Sequence, residues 1–197
     1  EAIFSKVVID CTGDGDVAAK AGAAFYKGRE DDGSMQPVTL MFKVAGVNEE
    51  QAVYPGSFET NFPIPGGMIQ DLAKEHLTAP AGHVLLYRST IPGVVTVNMT
   101  NCIGVDGTNA RELSSAHQVC RMQMEEIVDF LRKYIPGYEN CYIISSASII
   151  GVRETRHFIG KKTLTKEDIE NAVQHEDWAV KDAHFNFDVH NMSGAGL

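Results

Sequence analysis

A chain of 197 residues with a formal net charge of -9, 44% hydrophobic and 22% charged, has the composition of an ordinary globular protein with a substantial core. The acidic balance argues against a nucleic-acid partner or an anionic membrane surface, and no apolar run reaches the ~18 residues of a membrane span. Cys11, Cys102, Cys120 and Cys141 are widely scattered and form no C-x-x-C pair, so they read as buried small hydrophobes in a reducing, cytoplasmic compartment.

Ile3 to Ile9 is an apolar, β-branched run, expected as a strand buried on both faces as in an α/β sheet. It leads into "DCTGDGDVAAKAGA", where Gly13, Gly15 and Ala18 fit the G-x-G-x-x-G/A spacing of a dinucleotide cradle. Asp14 and Asp16 would repel a pyrophosphate there, and no acidic ribose ligand follows ~20 residues on. Asp10, Thr12, Asp14 and Gly15 also imitate the opening of a calcium loop, but Ala21 stands where the loop needs a bidentate glutamate. The remaining reading is that Asp14 and Asp16 cap a short helix, Val17 to Ala23.

A second strand signal runs from Pro37 to Val47. Glu49 to Ala81 is a Pro- and Gly-rich loop around a short helix at Met68 to His76, and loops of that length are seldom idle. His83 to Ser89 and Val94 to Asn101 flank "TIPG" as a hairpin. Asn98-Met-Thr and Asn191-Met-Ser fit the glycosylation pattern and read as coincidences, the first lying in a strand-like run.

Asn109 with Glu112 starts a long helix, Ala110 to Tyr134. Its core face carries Leu113, Ala116, Cys120, Ile127, Leu131 and Tyr134, with Met122 and Met124 as gap-fillers. Cys141 to Val152 is another strand run, "RETRHFIGKKT" a charged turn, and Thr165 with Asp168 opens a last helix. "HFNFDVHN" reads as a short alternating strand with His184, Asp188 and His190 on one face. Three ligands strung over ~20 Å of strand cannot meet one metal ion. In the charged turn, Arg153 and Arg156 at a strand end could grip a carboxylate or phosphate through forked hydrogen bonds, with Glu154 orienting them. Taken alone, the same charges read first as a solvated salt-bridge cluster.

"VVIDCTGDGDVAAKAGAAFYKGREDDGSMQPVTLMF" resembles the stretch of FAD-dependent oxidoreductases in which a strand ends in A-T-G-D-G-D, followed by an AGA helix and a Q-P-x-T-L-M-F strand. "GVRETRHFIGKKTLTKEDI" and "FDVHN" resemble two later motifs of that family, in the same order, so the likeness runs from Val7 to Asn191. The family is similar to the fumarate reductase and succinate dehydrogenase flavoproteins, and more loosely to the flavin subunit of heterodisulfide reductase.

The resemblance implies FAD as the cofactor of the full-length protein, with the principal cradle outside this chain. Cys11-Thr12-Gly13 then stands at the A-T-G motif, with Cys in place of the usual Ala. Thr12, Gly13, Asp14, Gly15 and Gln36 become the implied cofactor contacts. Arg153, Glu154 and Arg156 become the implied catalytic or substrate-gripping residues, Thr39 a weaker candidate, and no metal is implied. The implied activity is oxidation or reduction of a small organic substrate by flavin hydride transfer, the electron partner being unspecified.

The expected fold is α+β: a mixed, mostly antiparallel sheet covered by the long helix. Residues 1–24 are expected to be a stub of the parent α/β FAD-binding sheet and 25–197 the substrate or cap domain. A non-catalytic ligand-binding or interaction domain of the same fold is the alternative.

Overall fold

The computed structural model describes residues 3–184 and 188–191. In chain order its elements are α1 (Asp16–Lys20), β1 (Phe25–Lys27), β2 (Phe42–Ala45), β3 (Pro63–Ile64), β4 (Gly67–Met68), α2 (Ile69–His76), β5 (Leu86–Arg88), β6 (Val95–Val97), α3 (Ala110–Tyr134), β7 (Tyr142–Ser146), β8 (Arg156–Phe158) and α4 (Lys166–Glu170). Contacts divide the chain into two compact units, Glu1–Lys27 with Arg156–Asp188, and Gly28–Thr155 with Val189–Leu197.

The larger unit is built on an antiparallel sheet in the order β5-β6-β2-β7, with Leu86 and Phe42 each opposite Val97 of the strand between them. Alternation sets its inner face: Phe42, Val44, Val95 and Val97 are buried while Lys43 points outward. α3 shares this core through Ala116, Cys120, Ile127 and Leu131, joined by Met124, Val128 and Phe130. Each of the larger apolar side chains gains roughly 1.5–3 kcal/mol by leaving water. Leu113 and Tyr134 pack at the margin. Met122 is 68% exposed, so only Met124 fills a core gap. The fold is α+β, as the spacing of these residues implies.

Asn109 caps α3, its Oδ1 accepting from the Arg111 N–H at 3.0 Å. Glu112 closes the turn differently from a simple capping box, accepting from Asn109 Nδ2 at 2.6 Å and the Asp106 N–H at 2.7 Å. Thr165 and Asp168 form the complete box at α4. The hairpin and the short helix α2 form where the turn residues predict them.

The smaller unit departs further from expectation. Ile3 to Ile9 forms no strand, and Ile3 and Ile9 are 93% and 80% exposed. A β-branched run becomes a buried strand only when neighbours take up its N–H and C=O groups, and none among the described residues does. The charged turn is in part a strand: β8 pairs antiparallel with β1, Phe25 opposite Phe158 and Lys27 opposite Arg156.

Nor do Asp14 and Asp16 cap α1. The N-cap is Gly15, at φ 64 with no side-chain cap. This left-handed turn brings the chain back to Asp10, whose Oδ2 accepts from the Ala18 N–H at 2.7 Å, while Thr12 Oγ1 accepts from the Asp16 N–H at 3.0 Å. The hydroxyl and main-chain donors around Asp10, Thr12 first, hold its carboxyl below the usual range. Cys11 is exposed rather than buried, whereas Cys120 and Cys141 are buried. The closing strand falls on residues 185–187, outside the described residues, and 188–191 carry no ladder.

Candidate functional site

At one end of the four-stranded sheet the ladder thins into single bridges, Val38 to Cys102 and Thr39 to Gly151. Thr100 Oγ1 stands in for a strand partner, accepting from the Leu40 N–H at 2.8 Å and donating to the Leu40 carbonyl at 3.0 Å. The Asn98 N–H donates to the Leu85 carbonyl at 3.0 Å. Four segments far apart in sequence therefore end side by side.

Two buried glutamines complete their hydrogen bonding from the helices. Gln70 of α2 accepts from the Val84 N–H at 2.8 Å and donates to the Val84 carbonyl at 2.9 Å. Gln123 of α3 treats Asn101 in the same way, at 2.9 and 2.8 Å.

Several residues singled out in the sequence meet on this frame. Arg153 Nη1 donates to the Pro37 carbonyl at 2.6 Å and to Thr39 Oγ1 at 2.7 Å. Glu154 Oε2 accepts from the Gln36 N–H at 2.8 Å, and Gln36 Oε1 accepts from the His190 N–H at 3.1 Å. Gly107 makes the approach possible, since a Cβ there would lie 2.5 Å from Val152 and 2.8 Å from Thr155. Arg153 lines a largely apolar cleft of ≈ 300 Å³ together with Thr39, Met41, Ile149 and Val152.

His83 is the residue that sequence reasoning missed. It is 6% exposed, and its Nε2 lies 3.1 Å from the Asn98 carbonyl. A carbonyl only accepts, so Nε2 carries the proton and Nδ1 presents a bare lone pair. Burial pushes its pKa down to about 4, and the positive fields of His190 and Arg153 add to the effect.

Nδ1 has no hydrogen-bond partner, and neither has the buried Oδ1 of Asn98. Leaving such an acceptor unpaired costs about 1–3 kcal/mol. The Phe58 ring, from the long Pro- and Gly-rich loop, stands edge-on 4.6 Å from His83 and 5.2 Å from His190. A lone histidine opening the apolar run "HVLLY" carries no spacing signal. His190 drew attention only as one of three evenly spaced polar residues. His184 and Asp188 belong to the smaller unit and His190 to the larger. Asn98, at 7% exposure, offers no surface for a glycan.

The other predicted residues gather in the smaller unit. Thr12, Gly13, Asp14, Gly15 and Arg156 line a cleft of ≈ 290 Å³ closed by Phe158. Arg156 Nη1 donates to the Asp14 carbonyl at 2.6 Å and to Asp16 Oδ1 at 2.8 Å, and its guanidinium lies 5.5 Å from the Phe25 ring centroid. Its side chain is only 14% exposed. A Cβ on Gly15 would overlap the Phe158 ring, whereas one on Gly13 would meet open space. Arg153 and Arg156 thus belong to different units and hold different partners. Among the described residues no group of three or more His, Cys, Asp or Glu is placed to hold a metal, and no helix is long and apolar enough to cross a membrane.

An antiparallel sheet backed by helices, with an arginine-lined cleft in each of two units, defines an α+β protein. The family model described as FAD dependent oxidoreductase matches residues 1–196, and the chain belongs to that family. FAD is the cofactor that this membership assigns. Comparison with curated proteins and with solved structures gives no match.

Proposed function

We propose that this chain forms the substrate side of a flavoprotein that oxidises or reduces a small organic substrate. In this reading residues 1–24 are the part that reaches the FAD-binding sheet and 25–197 are the substrate or cap domain. The observation that carries it is Arg153, locked by the Pro37 carbonyl and Thr39 Oγ1 in the wall of an apolar cleft. An arginine so held keeps its positive charge on the cleft wall, where it favours a carboxylate, with little side-chain entropy left to lose. Glu154 fixes the Gln36 main chain beneath it, and Thr39 fixes its rotamer.

The cleft of the smaller unit suits part of a flavin dinucleotide: bare peptide at Gly13, an aromatic wall at Phe158, and a guanidinium whose charge is only partly offset by Asp16. Its volume lies at the small end for ligand pockets, fit for one portion of the cofactor. Thr12, Gly13, Gly15 and Arg156 would hold that portion, with Asp14 serving through its carbonyl as the anchor of Arg156. When bound, FAD supplies the hydride chemistry; the chain supplies orientation, charge and exclusion of water. Four free thiols, two of them buried, support a reducing, cytoplasmic setting.

The test is anaerobic titration of the full-length, FAD-loaded enzyme with small carboxylic acids. Bleaching or recovery of the flavin absorbance by one of them, weakened at least tenfold in Arg153→Lys, is the expected result. Flavin that responds equally in wild type and variant removes Arg153 from the substrate.

A further inference from the structure

Two clefts lie along the outer face of the larger unit's sheet and share a wall. The one that Arg153 lines runs past Thr39 and Ile149 to Met41 and Ala147, and a second, of ≈ 190 Å³, continues from the same Met41 and Ala147 to Lys43. The Ala147 N–H donates to the Met41 carbonyl at 2.8 Å, so the shared wall is a paired step of the sheet. Thr39, Met41 and Lys43 alternate along one extended stretch and share this face. From Thr39 to Lys43 the groove therefore follows the strand for about 13 Å.

Its two ends are basic and its middle is apolar. At one end Arg153 is bound to Thr39 Oγ1. At the other, Lys43 stands opposite Thr96 of β6 and Ser145 of β7, and residues paired in this way present their side chains to the same face. An ammonium flanked by two hydroxyls is a set of donors whose complement is an anion. Between the ends Met41 and Ile149 stay 41% and 79% exposed. In a chain with 26 Asp and Glu against 17 Lys and Arg, none of the described residues lining the two clefts is acidic. The groove thus reverses the charge balance of the chain as a whole.

We propose that this groove binds an elongated diacid, with one carboxylate at Arg153, the other at Lys43 between the hydroxyls of Thr96 and Ser145, and a carbon chain lying over Met41, Ala147 and Ile149. The proposal rests on the substrate-side reading of Arg153 and adds the second anchor. Length is what the site selects. Butanedioate is too short to touch both ends, and a full-length monoacid sets an apolar tip against the Lys43 ammonium, which loses water and gains no partner.

The experiment titrates the protein with decanedioate, decanoate and butanedioate by calorimetry at low ionic strength, with the methyl signal of Met41 followed by 13C-methionine labelling. Decanedioate should bind at least tenfold more tightly than either of the others and move the Met41 methyl. Lys43→Gln should bring decanedioate to within about twofold of decanoate, while Lys43→Arg, which keeps the charge, should retain the preference.

Equal binding of decanedioate and decanoate, weakened in Arg153→Lys, overturns the Lys43 anchor and leaves the Arg153 reading standing. A diacid that weakens in Lys43→Gln but not in Arg153→Lys overturns the two-ended grip and the Arg153 reading with it. Binding of none of the three acids removes both. Decanedioate that binds without moving the Met41 methyl sits elsewhere and overturns the proposal.

Discussion

Gln123 Nε2 donates to the carbonyl of Asn101 while its Oε1 accepts from the N–H of the same residue, so one side chain of the long helix serves both main-chain polar groups of that residue. Gln123→Leu would fill the space and strand both main-chain groups in the core. We expect a loss of about 2 kcal/mol or more in urea unfolding. Gln123→Glu should also destabilise, because an ionised carboxylate cannot donate to the Asn101 carbonyl. A leucine variant as stable as wild type would mean that water reaches the strand end.

Acid should weaken the protein through His83. Its folded pKa, about 4, lies below the ordinary 6.5, so between these values the unfolded chain binds a proton that the folded one refuses. Stability from this group is complete above pH 6.5 and falls away as the pH drops towards 4, by about 3 kcal/mol in all. The charged neighbours that face the ring are His190 and Arg153, both opposing its protonation. His83→Gln keeps a donor for the Asn98 carbonyl and does not titrate, so the fall between pH 7 and pH 4 should shrink by that amount. An unchanged slope would place the acid sensitivity elsewhere.

Arg153→Lys keeps the charge but loses the planar guanidinium whose Nη1 holds both the Pro37 carbonyl and Thr39 Oγ1. On the proposed reading, turnover of the FAD-loaded protein should fall tenfold or more, about 1.4 kcal/mol of transition-state stabilisation, with little change in melting temperature. The reverse pattern, full turnover with lowered melting, would make the arginine a structural brace.

Gly15→Ala tests the turn of the smaller unit. The residue sits at φ 64 and its new methyl would overlap the Phe158 ring. The left-handed backbone alone costs ~1 kcal/mol, and the overlap should bring the total to about 2 kcal/mol. Combining it with Phe158→Ala should cost less than the sum of the two single changes, measured by thermal unfolding followed by circular dichroism. Strict additivity would show that the ring can move aside.

Much of the larger unit was legible because its signals are local. The 3.6-residue spacing of Ala116, Cys120, Ile127 and Leu131 marks α3, and Pro92-Gly93 between two β-branched runs marks the hairpin. Ile3 to Ile9 carries an equally plain strand pattern and forms none, since a strand also requires partners that no residue within the run encodes. The R-E-T-R motif located Arg153 and Arg156, yet not their separation: Lys27 opposite Arg156 draws one arginine into a different pairing from its neighbour. Asp16 looked like a cap because caps are acidic. The left-handed Gly15 decided otherwise and handed the task to Asp10. His83 was invisible because its chemistry comes from the Asn98 carbonyl, 15 residues away.

The sheet end draws Gln36, Phe58, His83, Asn98, Arg153 and His190 from six separate stretches of chain. Loop-closure entropy must be met for each stretch before any of them repays it, so such an assembly forms late and all at once. If this sheet end is the substrate site, as proposed, ligand affinity becomes a gauge of folding itself. A partly folded chain can keep most of its helix content and still bind nothing, and a circular-dichroism spectrum alone would not tell the two states apart.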